Sequence, residues 1–381
     1  MAQHNPALQP GSVATWRATV RQAVIFGTVF LALQASVDAA PLDATLSALP
    51  ELEQHNGYLE VATDQMNQGL DLFRVRESDP KTVGTAAGDY HGYHLTGAVR
   101  AAPGLWVSGS LWRRTISSTS DTFHYDSFAV SAQYRFLEGN GSRPALALRA
   151  STWGNRSAAT ESTTPVTVPG AILNTVRVAS PTDRSVQLDL TGTWALPALP
   201  ILNATVGIGN TQLGYGGLTA TTTRNGCDYA LQFNGNDIYG TLAKECNATG
   251  GVIQQFYDSS GAYGVDVAPE IAWRGRFWQI GGSAFWKGDP WSYKAGYLFH
   301  TVQREAVDSI LASRSRPYYE QNHTVLMEAT YRLHAQLQLF GRAQLSSNLF
   351  FSEIPVTYNT STSERFGSKY SLFTLGARWD F

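Results

Sequence analysis

The sequence predicts an all-β protein, an antiparallel β-barrel that crosses a membrane, and three observations predict it. Apolar and polar residues alternate with period two in segment after segment from residue 57 onward, the mark of a strand with two unlike faces. The connections between those segments alternate between short turns and long polar stretches, as in a barrel whose two rims differ. Trp and Tyr gather near the strand ends at Trp106, Trp112, Trp194, Trp273, Trp278, Trp286 and Trp379, where an interfacial girdle belongs.

Composition excludes other classes. The 381 residues are 43% hydrophobic and 15% charged, with 12% aromatics. A disordered chain carries more charge and fewer aromatics. A polytopic helical membrane protein needs several apolar runs of about 20 residues, and none follows the N-terminal region. The formal net charge of -2 lacks the basic excess of a general nucleic-acid binder.

Taken in order, residues 1–39 read as a secretory signal. Arg17 and Arg21 precede the apolar run AVIFGTVFLAL at 23–33, and Val37 and Ala39 supply a small-residue cleavage site. The run falls short of the about 20 residues that a spanning helix needs. Residues 40–56 form an N-terminal periplasmic segment in which Leu42, Leu46, Leu49 and Leu52 suit one face of a short helix. That segment is read either as a lumen plug or as a tether.

Residues 57–381 form the barrel. Strands are expected near 58–73, 90–100, 105–116, 124–137, 145–153, 184–196, 201–212, 262–273, 277–286, 323–333, 336–350 and 368–381. The count is about twelve, an even number as bacterial barrels require, with fourteen as the alternative if 293–300 adds a hairpin. Short turns are expected at 101–104, 140–144, 197–200, 274–276 and 334–335, on the periplasmic side. Long extracellular loops are expected near 74–89, 117–123, 154–183, 213–261, 287–322 and 351–367, with a short helix at 303–311.

The last strand is the clearest. Phe373, Leu375, Ala377, Trp379 and Phe381 share one face, and Thr374, Gly376, Arg378 and Asp380 the other. The segment 370–381 (YSLFTLGARWDF) resembles the terminal strand of Gram-negative outer-membrane β-barrel proteins, a resemblance at the level of the class and of no particular family. It implies that Phe373, Leu375, Trp379 and Phe381 act as an assembly signal for the barrel-assembly machinery. It also implies an outer-membrane location in contact with lipid and lipopolysaccharide.

Charges on the polar faces should point into the lumen. They are Arg135, Arg149, Arg332, Arg342 and Arg378 against Asp189, Asp266, Glu270, Glu328 and Asp380. Such charges either pair to fill a narrow barrel or line a selective passage. Cys227 and Cys246 fall in the exported part, so an even pair reads as a disulfide. With no further Cys or His at ligand spacing around them, no metal site is expected, and no cofactor.

Barrel hydrolases place a His beside a Ser on one face. His91, His94, His124, His300, His323 and His334 are scattered, and each reads as a loop or interface residue. Ser127 lies three residues from His124 and so faces the other way. His94 shares a face with Thr96, a poor substitute for Ser. The first reading is therefore a non-enzymatic channel or transporter for a small solute. The alternatives are a barrel serving envelope export or assembly, and a barrel hydrolase acting on lipid or surface substrate. The solute, the partners and the oligomeric state are open at this point.

Overall fold

The computed structural model describes residues 55–66, 89–117, 122–140, 143–163, 165–168, 171–195, 200–244, 246, 252–259, 267–348, 352–360 and 362–381. The expected signal, nearly all of the N-terminal segment and Asp266 lie outside them. In chain order the strands are β1 (Gly57–Met66), β2 (Asp89–Ala102), β3 (Leu105–Ser117), β4 (Thr122–Leu137), β5 (Ala145–Arg156), β6 (Ala159–Ser162), β7 (Val166–Val168), β8 (Ala171–Ala179), β9 (Thr182–Trp194) and β10 (Ile201–Gly214). They continue with β11 (Gly217–Arg224), β12 (Cys227–Asn234), β13 (Asp237–Leu242), β14 (Gln255–Ser259), β15 (Arg274–Trp286), β16 (Trp291–Arg304), β17 (Gln321–Arg332), β18 (Leu337–Ser346) and β19 (Tyr370–Asp380). Two short helices, α1 (Val267–Ile271) and α2 (Val307–Ser313), lie in the long connections.

Twelve strands close into an antiparallel barrel in the order β1-β19-β18-β17-β16-β15-β10-β9-β5-β4-β3-β2. The seam is β1 against β19, from Tyr58↔Asp380 to Gln65↔Phe373. Closure pairs every strand on both sides, which is what permits a sheet to cross a bilayer. One face of each strand is wet or packed inside and the other meets hydrocarbon. In β9, for example, Asp183, Ser185, Gln187, Asp189, Thr191 and Thr193 are buried while Val186, Leu188 and Leu190 are exposed. Leu59, Val61, Leu148, Val206, Ile208, Ile280 and Leu375 continue that exposed apolar belt around the barrel. At its short-turn end lie Tyr134, Trp286, Trp291, Tyr293 and Trp379, and at its long-loop end Tyr93, Trp278 and Tyr297.

The twelve-strand count agrees with expectation, but two assignments differ. Of the strand expected at 262–273, the described residues 267–273 hold α1 instead, and Trp273 packs in a core. The residues read as a turn, Arg274–Arg276, begin β15, and Trp291–Arg304 is a full strand rather than part of a loop. Three of the expected girdle residues also point elsewhere. Trp106 and Trp112 are buried because even-numbered residues of β3 face the lumen, and Trp273, just before β15, is buried in an apolar core.

Among the described residues, several of the long connections carry folded segments. Strands β6, β8, β11, β12, β13 and β14 build a second antiparallel sheet beyond the barrel rim, with β7 paired to β8. Its β8–β11 pairing ties the β5–β9 connection to the β10–β15 connection. The sheet has its own core of Ala220, Tyr229, Leu231 and Ile238, and the Cys227–Cys246 disulfide lies in it.

Candidate functional site

The β18–β19 connection, expected as a polar outer loop, turns back into the barrel mouth. Ile354 and Tyr358 are fully buried there and Phe366 nearly so. They complete two apolar clusters at the long-loop end. One joins Tyr358 and Phe366 to Trp153, Leu213, Trp273, Phe277 and Val302 of the wall and to Val307 and Leu311 of α2. The other joins Ile354 to Met66, Tyr90, Tyr125, Tyr370 and Leu372.

Polar latches hold the inserted segment. Asp183 of β9 accepts the backbone N–H of Val356 at 2.9 Å. Asn155 of β5 donates its side chain to the Glu353 carbonyl at 3.0 Å and to both Asp183 oxygens at 2.9 and 3.0 Å. Trp273 Nε1 donates to the Tyr358 carbonyl at 2.9 Å, and the Arg304 guanidinium lies 3.8 Å from the Tyr358 ring centre. Beside them, burial pushes the Asp308 carboxyl above its ordinary range despite Arg304. Burial likewise pushes the Tyr358 phenol up to about 12, so it stays neutral.

Below this plug the lumen is polar. His94 lies between two carboxylates, with Nδ1 2.9 Å from Asp64 Oδ2 and Nε2 3.4 Å from Glu60 Oε1. Asp64 also accepts Trp112 Nε1 at 3.1 Å and Thr374 Oγ1 at 2.6 Å. Arg342 reaches Glu328 at 2.7 Å and Glu60 at 3.6 Å, and Lys294 reaches Glu328 at 3.3 Å. Arg114 is buried against the Trp112 ring at 4.9 Å, its Nε and Nη1 without a hydrogen-bond partner. Across the lumen Arg149 donates Nε and Nη2 to Asp189 Oδ2 at 3.1 and 2.9 Å. Gln187 and Gln279 donate to the other oxygen at 2.6 and 3.1 Å. Gly207 makes room for this group: a Cβ there would clash with Asp189 Oδ1.

The structure places the charges read from sequence as follows. Arg149, Asp189, Glu328 and Arg342 sit in the lumen in the two networks just described. Arg378 bonds Asp380 at 2.8 Å and covers the Tyr58 ring at 3.9 Å. Arg135 bonds Glu138 at 2.9 Å near the short-turn rim. Arg332 pairs with Asp289 of the β15–β16 turn at 3.4 Å. Glu270 is a correction. It lies on α1 at the mouth, not in the wall, paired with Arg314 at 2.6 Å, and that bond holds the Arg314 pKa above its ordinary value.

Sequence reasoning missed Glu60, Asp64, Lys294 and the plug, and set His94 aside as a loop or interface residue. The signal for the first two was present: Glu60, Ala62, Asp64 and Met66 share one face of β1. Lys294 was hidden in a segment taken for a loop. The apolar Ile354, Val356, Tyr358 and Phe366 hinted that this connection is not wholly solvated, but not where it packs.

Toward the short-turn end, inward-facing Thr96, Ser108, Ser110 and Gln133 keep accessible surface. Lys294 and Arg378 do too, each with 18% of its side chain accessible. Polar side chains of both charge signs therefore line the lumen from the plug toward the short-turn end.

No protein-family model and no curated protein matches the chain. Among solved structures, the translocator domain of autotransporter NalP from Neisseria meningitidis is similar at 11% identity and TM-score 0.44, over 96% of this chain and 98% of that one. The KdgM porin is similar at 8% identity and TM-score 0.37, over 85% and 99%. The CymD monoaromatic hydrocarbon channel is similar at 8% identity and TM-score 0.38, over 91% and 98%. These likenesses concern the fold alone.

Proposed function

We propose that this protein is a channel for a small polar solute in the outer membrane of a Gram-negative bacterium, held closed by its own β18–β19 segment. Short turns face the periplasm and long loops the exterior. The observation that carries the reading is the polar lumen lined by Glu60, Glu328, Lys294, Arg342 and Arg378, which ends at the seated plug. Charges of both signs along a wet barrel interior suit a selective passage. A plug held by a few hydrogen bonds and aromatic contacts is a two-state element that a solute or field can bias.

The hydrolase reading has no comparable support. Both ring nitrogens of His94 face carboxylates, so the imidazole is not positioned to take a proton from a hydroxyl nucleophile.

The test is conductance in planar bilayers. Replacing residues 352–366 by a short Gly-Ser linker should convert a mostly closed barrel into one of steady conductance. A linker variant that folds as a barrel and stays silent would defeat the proposal.

A further inference from the structure

The outer surface of the barrel carries a net cationic patch across β9, β10, β15 and β16. On four adjacent strands the lipid-facing row turns from apolar to polar at one line. In β9 the change runs from Val186 to Arg184, and in β10 from Ile208 to Asn210 and Gln212. In β15 it runs from Trp278 to Arg276 and Arg274, and in β16 from Phe299 to Thr301 and Gln303. The line is the edge of the hydrocarbon belt, and all three arginines lie exposed just beyond it.

The register brings them together. Arg184 pairs across to Gln212, and Gln212 to Arg274. Asn210 pairs to Arg276, and Arg276 to Gln303. Strands lie about 4.8 Å apart, so Arg184 and Arg274 stand roughly 10 Å apart, and Arg274 and Arg276 are separated by about 7 Å along one strand. The amides of Asn210, Gln212 and Gln303 fill the spaces between them.

One acidic side chain adjoins the patch: exposed Glu305, whose backbone N–H bonds the Arg274 carbonyl at 2.7 Å, so the three arginines keep a net positive charge beside a single carboxylate. The three guanidinium groups have no ion pair or hydrogen bond among the described residues. Asp183 and Asp189 of the same wall point inward. Three strands farther round the wall from β9, by contrast, the outward Arg113 of β3 pairs with Asp126 at 3.2 Å. At the short-turn end the same four strands present Trp194, Leu202, Trp286 and Trp291 outward, with the single Lys287 of the β15–β16 turn beside them in place of a cluster. The clustered charge thus sits at one membrane edge only.

We infer that Arg184, Arg274 and Arg276 form a binding site for the phosphate groups of an outer-leaflet glycolipid. Guanidinium forks match phosphate oxygens bidentately and accept partial desolvation better than ammonium groups. Cations at a bilayer edge are drawn to anionic headgroups while their stems lie along the apolar belt. A lipid bearing two phosphates suits three cations spread over about 10 Å. The inference rests on the outer-membrane placement proposed above. Channel recordings test that reading separately, because none of the three arginines faces the lumen.

The experiment is native mass spectrometry of the full barrel in detergent, titrated with diphosphoryl lipid A and with the same lipid after enzymatic removal of its phosphates. The wild-type barrel should retain diphosphoryl lipid A at least ten times more strongly than the dephosphorylated form. The R184Q/R274Q/R276Q variant should lose that preference, and R113Q should keep it. Equal retention of the two lipids by the wild-type barrel overturns the site, and this arm needs no variant to fold. Undiminished preference in the folded triple variant overturns it as well.

Discussion

Tyr358→Ala is the sharpest test of the plug. The side chain is fully buried, edge-on to Trp273 at 6.3 Å and to Phe366 at 5.0 Å. Its face meets the Arg304 guanidinium at 3.8 Å. Trp273 and Arg304 belong to the barrel rim and wall, so truncation weakens the seated state and leaves the pairing of the strands unchanged. Removing a packed aromatic costs about 3–5 kcal/mol. At about 1.4 kcal/mol per factor of ten, the balance between seated and unseated segment should move roughly 100- to 4,000-fold toward unseated. Single-channel recording should therefore show openings more frequent by that order, until the open state saturates. Tyr358→Phe keeps the ring and gives up long hydroxyl contacts, among them those to Asp308 and to the Tyr319 backbone N–H, each at 3.4 Å, so it should stay far closer to wild type than the Ala variant. An Ala variant that folds and opens no more often than wild type refutes the reasoning, because the segment would then not be the barrier.

Three further outcomes are expected. Asp189→Ala leaves Arg149 buried without its carboxylate, so urea unfolding in micelles should show a loss of about 3–5 kcal/mol, whereas replacing both residues by apolar ones of similar volume should cost far less. Replacing Cys227 and Cys246 by Ser removes a cross-link worth roughly 3 kcal/mol on the chain-entropy model; the barrel should still form, while the second sheet becomes sensitive to protease, and loss of the barrel itself would show that the disulfide does more than shape this sheet. Deleting Phe381 removes the bonds between Phe381 and Asn56 and Gly57 at 2.8–3.0 Å that finish the β1–β19 seam, so the yield of heat-modifiable barrel in cells should fall severalfold, measured against Phe381→Tyr.

What was legible in the sequence was whatever repeats locally. Side-chain direction alternates along a strand whatever its partners are, so the stripes at 128–136, 325–333 and 373–381 announced a barrel wall without knowledge of any neighbour. The same alternation placed Arg149, Asp189, Glu328 and Arg342 on inward faces. It failed where a strand leaves the hydrocarbon. Arg274 and Arg276 face outward beyond the apolar edge, where lipid no longer selects apolar residues, and the loss of pattern looked like a turn. That error displaced one strand to 262–273 and left Trp291–Arg304 in a loop, and the two mistakes cancelled in the count. Tertiary structure alone decided what fills the barrel. Whether Arg149 meets Asp189, or His94 meets Asp64 and Glu60, depends on register between strands far apart in sequence. A turn inward by Ile354 and Tyr358 is invisible to any local pattern, because an apolar residue in a long loop can cover a rim, meet lipid or enter the lumen. Only the closed wall, with Trp153, Trp273 and Phe277 waiting at its mouth, makes the lumen the place where those side chains lose their water.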